Sequence, residues 1–303
     1  LACGALLPLA GATSVSFTRA WAGVSPDHEI LFDLRLTRVL LGLLAGGALA
    51  IAGVVSQALL RDPLATPYTL GVSSGASLGT VIAICLEWRW PWLAGLVGAG
   101  AVVAFVLALA TEARRVSTFT LLLAGVTVNS LCLALILCLQ SLATFSQSLV
   151  ITRWLMGGLE AIPFPALGWL ALVVFAISAA LCWQARDWNL MAMGEEWAAA
   201  RGARPQRLAI GGYLAISVLT GLVTSFTGPI GFVGLIVPHA LRLAFGADHR
   251  LILPCSFFLG AAFLAVCDTA SRLAVAPAEI PVGVVTALLG GPFFLWLLRS
   301  RGR

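Results

Sequence analysis

The sequence predicts an all-α protein that crosses a membrane about ten times, and three observations lead there. Of 303 residues, 60% are hydrophobic and only 10% are charged, whereas a soluble domain carries about 25% charged residues. Apolar runs of the length a helix needs to cross a bilayer, about 20 residues, recur from end to end. The connections between them are short. The longest, at about 142–166 and 185–207, leave no room for a water-soluble domain, so residues 1–303 read as a single transmembrane domain.

In chain order the apolar segments fall at about 1–17, 36–60, 68–86, 91–111, 119–141, 167–184, 208–227, 228–241, 251–267 and 282–298. The first starts without an initiator methionine or a basic leading stretch, which predicts a truncated first span, although Leu1-Ala2-Cys3-Gly4 resembles a lipoprotein cleavage site. The eighth is short and opens at Gly228-Pro229, so it is expected to be tilted or to cross only in part.

Arginine placement orients the set. With the N-terminus inside, one side holds Arg61, Arg114, Arg115, Arg186, Arg201, Arg204, Arg207, Arg242, Arg250, Arg299, Arg301 and Arg303, and the other holds only Arg19, Arg35, Arg38, Arg89, Arg153 and Arg272. The positive-inside rule then places both termini in the cytoplasm. All 18 basic residues are Arg. Without lysine there is no Schiff base and no phosphate-binding P-loop lysine, so any ATP is hydrolysed by another chain.

The stretch "LLRDPLATPYTLGVSSGASLG" at 59–79 carries two instructions. Pro63 and Pro67 each lack an amide proton and fix φ, which ends the second span. Gly71, Gly75 and Gly79 then recur every fourth position, a small-residue stripe that lets a neighbouring helix approach closely in lipid. Gly42 and Gly46 repeat the device on the second span. Ordinary helix packing accounts for the glycines but not for the double proline turn.

The remaining chemistry is sparse. The seven cysteines lie in or beside apolar segments without a CxxC pair and read as small packing residues. His28, His239 and His249 have no metal-ligand spacing, and no nucleophile–base pair stands out. Asp268 and Glu279 lie at segment ends and are functional candidates by default, Glu279 with an equal structural reading in the turn "PAEIP".

Several long motifs resemble one family. "QALLRDPLATPYTLGVSSGA" at 57–76, "LLLAGV" at 121–126, "LMAMGEEWAAARGARP" at 190–205, "GPIGFVGLIVPHALRLAFGADHR" at 228–250 and "PAEIPVGVVTALLGGPFFLWLL" at 277–298 are similar, in order and spacing, to the FecCD-type permeases. These are the membrane subunits of ATP-binding cassette importers for ferric siderophores, haem and cobalamin. The resemblance covers essentially the whole chain. It implies the type II ABC importer permease fold, with ten helices, in the bacterial inner membrane. It also implies a second permease subunit (most simply a homodimer), two ATPase subunits that bind ATP and Mg, and a periplasmic or lipid-anchored binding protein. No cofactor and no nucleic acid are implied for this chain, which would be a transport subunit and not an enzyme.

The resemblance also implies residue roles. The loop at about 190–205, with Gly194, Glu195, Glu196, Ala200, Arg201 and Gly202, looks like the coupling loop that sits in a groove of the ATPase. Its two glycines can break helices, and its acids suit a helix N-terminus; the plain alternative is a solvated linker. Arg35, Arg38 and Arg272 match arginines that meet glutamates of the binding protein, a task suited to a guanidinium fork; the plain alternative is interfacial snorkelling. Asp62, Leu64, Ser117 and Thr118 match the cytoplasmic constriction. This gives the proline turn a purpose, because non-helical backbone is tolerated in a membrane only where protein or water covers it. Asp62 stands where many members have Asn, so its charge either acts on anionic cargo or pairs with Arg61. The competing reading is a stand-alone secondary transporter or channel, which would place ionisable residues in broken helices at mid-membrane; an intramembrane enzyme lacks a catalytic set.

Overall fold

The structure, a computed structural model, describes residues 7–9, 17–112, 115–274 and 278–301. The expected first span at 1–17 and Arg114 therefore lie almost wholly outside the described residues. A short helix α1 (Phe17–Trp21) leads to a wider, π-helical stretch (Glu29–Leu36) that runs straight into α2 (Thr37–Leu60). Then follow α3 (Val72–Cys85), α4 (Pro91–Ala110), α5 (Thr118–Leu142) and α6 (Phe145–Leu155). The second half comprises α7 (Phe164–Trp183), α8 (Ala185–Met193), α9 (Glu195–Ala200), α10 (Pro205–Thr227), α11 (Val233–Phe245), α12 (His249–Ala274) and α13 (Val282–Arg301). One two-residue ribbon, Thr111–Glu112 with Arg115–Val116, joins α4 to α5.

Six helices are long and apolar enough to cross a membrane, and α3, α11 and α13 are shorter apolar helices. Together they match nine of the ten expected segments. The helix α6 was not among them. Its start is nonetheless written in the sequence, because Thr144 and Gln147 form a reciprocal capping box. The helix α12 also runs past the expected end at 267 to Ala274, so Arg272 lies within its last turn and not after it.

The helix α2 is the axis of the molecule. In its apolar window 89% of residues are buried, against 28% in α4, α5 and α7, whose outer faces are left for lipid. Between helices in lipid the hydrophobic effect is weak and close packing does most of the work. The sequence meets this demand by removing side chains at the crossings. A Cβ on Gly53 would run into the backbone of Gly234 on α11, and one on Gly46 into the backbone of Gly260 on α12. Gly75 and Gly79 do the same on α3, against Gly98 and Ala94 of α4.

Gly71 does not sit on the helix but caps it, at φ 81°, between a 3-10 turn (Pro67–Leu70) and α3. Only glycine adopts that conformation readily. A Cβ there would meet the backbone of Gly125 on α5 at 2.9 Å, so Gly71 too marks a close approach.

Two of the shorter helices meet at one hydroxyl. At 14 and 13 residues, α3 and α11 are each about 20 Å long, short of the roughly 30 Å hydrocarbon thickness. Each is preceded by irregular backbone. The Tyr68 hydroxyl donates to the Ile230 carbonyl at 2.5 Å and accepts from the Ile230 N–H at 3.0 Å. One side chain thus serves both polar groups of a fully buried residue.

Replacing Tyr68 with Phe is therefore expected to destabilise the fold by about 1–3 kcal/mol for each backbone group left unpaired. Thermal unfolding in detergent, followed by a thiol-reactive dye, should show a lower midpoint than the native chain; an unchanged midpoint would contradict this role.

Candidate functional site: the two polar poles of the bundle

At the arginine-rich pole, α2 ends where Arg61 takes the left-handed conformation, φ 53°, with Pro63 two residues later as is common after a helix C-terminus. The Asp62 carboxylate then accepts the Leu64 N–H at 2.9 Å, fixing the turn. Asp62 is thus occupied by its own turn, and Arg61 faces another acid, Glu195, at 3.7 Å. An Asn side chain makes the same turn.

On the other side of this pole the ribbon is pinned by Gln206, whose side-chain oxygen accepts the Val116 N–H at 2.7 Å. Ser117 caps α5 by accepting the Thr120 N–H at 3.2 Å. Thr118 is buried, and its hydroxyl donates to Glu195 at 2.7 Å.

The segment 185–202 is a helical hairpin. Gly194, at φ 130°, separates α8 from α9, and Gly202, at φ 86°, follows α9. Glu195 and Glu196 occupy the first turn of α9. Glu196, Ala200, Arg201 and Gly202 are exposed, as is Trp197 at 57%, with the Arg201 guanidinium 5.6 Å from the centre of its ring.

The far end of the hairpin is tied to α12 by Asn189. Its side-chain oxygen accepts the His249 N–H at 2.9 Å, and its amide donates to Asp248 at 2.7 Å. That donation, with the Arg250 N–H and the nearby Arg250 and His249 charges, holds the Asp248 carboxyl below its ordinary range.

A cleft of about 540 Å³ opens here, lined by Arg61, Ser117, Thr118, Glu195, Glu196 and Trp197 among others. A second of about 540 Å³, on the other side of Arg61, lies under Asn189, Arg242 and Asp248. The structure therefore brings Ser117 and Thr118 together with the hairpin, a link the sequence did not suggest. Asp62 and Leu64 sit on the adjoining turn, with Leu64 47% exposed.

The opposite pole is an ionic cluster. Arg38 donates to Asp268 through two nitrogens, at 3.0 and 3.2 Å, and to Glu279 at 2.9 Å. Arg272 meets the other oxygen of Asp268 at 3.2 Å. Asp268 is 1% exposed, and Arg35 and Arg272 are each 8% exposed. Two of the three arginines expected to meet a partner's carboxylates thus already hold an internal one, and Arg35 is buried beside them. The signal for Asp268 was its spacing four residues before Arg272, a helical ion-pair register.

This cluster sets a clear ranking. Asp268→Asn removes the buried carboxylate that Arg38 and Arg272 share, leaving Arg38 with only Glu279, and should cost about 3–5 kcal/mol. Glu279→Gln removes an exposed partner and should cost under about 1 kcal/mol. Unfolding midpoints of the two variants measure the difference, and equal midpoints would contradict it.

The comparisons with known proteins agree with one another. The FecCD transport family matches residues 1–300. The vitamin B12 import system permease protein BtuC of Escherichia coli O139:H28 is 40% identical over 288 residues, which is 92% of this chain and 86% of that one; BtuC of strain O8 is equally similar. Among solved structures, an inward-facing conformation of an ABC transporter assigned to the metal-chelate type superposes with a TM-score of 0.87 at 28% identity. It covers 99% of this chain and 97% of that one. PsaBC from Streptococcus pneumoniae, solved with a Fab, shares the fold alone at a TM-score of 0.58 and 20% identity, covering 92% of this chain and 94% of that one.

Proposed function

Because this chain belongs to the FecCD transport family and is the membrane-spanning permease subunit of an ABC importer, we propose that it carries vitamin B12 or a related metal chelate inward across the bacterial inner membrane. The observation that carries this reading is the 40% identity to a vitamin B12 permease along 92% of the chain. A siderophore or haem complex belongs to the same class of large chelate.

In this reading residues 1–303 form one transmembrane domain that pairs with a second permease, most simply a copy of itself. Two ATPase subunits bind ATP and Mg below it, and a binding protein docks above. The chain itself catalyses nothing and holds no cofactor. The all-arginine basic set fits that division, since the ATP-binding lysine must come from elsewhere.

The poles divide the work. At the arginine-rich, cytoplasmic pole, Asp62, Leu64, Ser117 and Thr118 border the inner mouth of the pathway. The α8–α9 hairpin, with Gly194 and Gly202 as its breaks, offers Glu196, Trp197, Ala200 and Arg201 to the ATPase, while Glu195 turns inward. At the outer pole Arg35, Arg38 and Arg272 give the docking face its positive character. Glu279, at its exposed edge, is the group a partner's carboxylate would displace from Arg38. A stand-alone transporter is disfavoured because the irregular backbone at Ile230 is held by a neutral phenol and not by a charged side chain.

Exposed tryptophan is a frequent anchor of binding energy, and losing one costs about 2 kcal/mol or more. Trp197→Ala should therefore weaken capture of the cognate ATPase by the nanodisc-embedded permease roughly thirty-fold, measured by interferometry. Unchanged affinity would place the ATPase elsewhere.

A further inference from the structure

Glu195 and Glu196 are adjacent acids on α9, yet the fold treats them differently. Glu196 is exposed and makes no hydrogen bond or ion pair among the described residues. One carboxylate oxygen of Glu195 receives the Thr118 hydroxyl at 2.7 Å and faces the Arg61 guanidinium at 3.7 Å. These partners belong to two different turns. Thr118 begins α5, and Arg61 is the left-handed residue that ends α2.

The two contacts differ in strength. A short hydroxyl-to-carboxylate bond is charge-assisted and directional, and Thr118 is 8% exposed. The Arg61 pair is long and solvated, with Arg61 45% and Glu195 32% exposed, so it contributes little by itself. The hydroxyl that reaches Glu195 is that of Thr118, while the Ser117 oxygen accepts the Thr120 N–H at the start of α5. Arg61 is followed at once by the Asp62 turn that fixes Leu64, so a displacement of Arg61 is carried into that turn.

We propose that Glu195 is a positioning residue that links the α8–α9 hairpin to the inner mouth: movement of the hairpin is passed through its carboxylate to the Thr118 end of α5 and to the Arg61–Leu64 turn. This rests on the reading that the hairpin takes the ATPase. Glu195 acts toward the pathway, and Glu196 and Trp197 act toward the partner. Adjacent helical positions point about 100° apart, so the two acids face different ways, and Gly194, whose φ of 130° is open mainly to glycine, makes the break at which α9 leaves α8.

The test uses the permease assembled with its ATPase in nanodiscs, with the seven native cysteines replaced. A cysteine is placed at Leu64, and separately at Ala199 on the exposed face of α9. Maleimide labelling rates are compared with and without a non-hydrolysable ATP analogue and Mg. In the native background both rates should change severalfold with nucleotide. In Glu195→Ala and Thr118→Val the response at residue 64 should vanish while that at residue 199 persists. Glu195→Gln keeps an acceptor for Thr118 and should retain most of the response; Glu160→Ala, at an exposed acid beside Arg38 and Glu279 at the opposite pole, should retain all of it. The ATPase should co-purify at its native ratio in every variant, which separates loss of the link from loss of folding. A full response at residue 64 in Glu195→Ala and Thr118→Val overturns the proposal, as does equal loss in Glu160→Ala. If the label at residue 199 in the native background ignores both ATPase and nucleotide, the docking reading falls and the link falls with it.

Discussion

The phenol of Tyr68 satisfies both backbone groups of Ile230, and much of the architecture depends on that pair of hydrogen bonds. Inside a membrane no water is available to an unpaired peptide, so irregular backbone survives only where protein supplies the missing partners. Among the described residues the turn before α3 and the Gly228–Phe232 approach to α11 are two such places, and each covers the other. Both helices can then be short. The turn at Arg61–Leu64 is set where the α8–α9 hairpin can reach its Arg61 end, and that turn joins the cleft-lining segments to the core.

The second constraint is how closely helices approach. The axis helix α2 touches α11 and α12 backbone to backbone, through Gly53 against Gly234 and Gly46 against Gly260. Dispersion and close fit hold these crossings. The ion pairs are instead gathered at the two poles, Arg38, Asp268 and Arg272 at one and Arg61 with Glu195 at the other. The middle is therefore close-packed, and the ends carry the groups proposed to meet partners. That separation suits a protein whose energy source and cargo carrier are both separate chains.

Much of this could be read before the fold was seen, for physical reasons. Hydrophobic length alone located nine described helices, since a bilayer fixes how long an apolar run must be. Gly194 and Gly202 announced the breaks of the hairpin, and Gly75 and Gly79 announced a close crossing. Gly71 also marks a close approach, to the backbone of Gly125 on α5, but it caps the helix, and a period of four looks the same whether its first member lies on the helix or caps it. The partner of Arg61 was not legible either: Asp62 is its neighbour in sequence, but Glu195, 134 positions away, reaches it only through the fold. Tyr68 and Asn189 act through contacts of that long-range kind, which local spacing does not signal; Asp268 was legible as a candidate and through its spacing to Arg272, but its pairing with Arg38 was not. The inward and outward roles of Glu195 and Glu196 emerge only when α9 is set against α5.

In the proposed function this chain moves its cargo only as one part of an ATP-driven assembly. The direct test is uptake of radiolabelled vitamin B12 into proteoliposomes holding the chain with its cognate ATPase, with the cognate binding protein and vitamin outside and ATP sealed inside. The account predicts accumulation that needs all three proteins and ATP, and that stops with vanadate. Accumulation by this chain alone, driven by an ion gradient and indifferent to ATP, would contradict it.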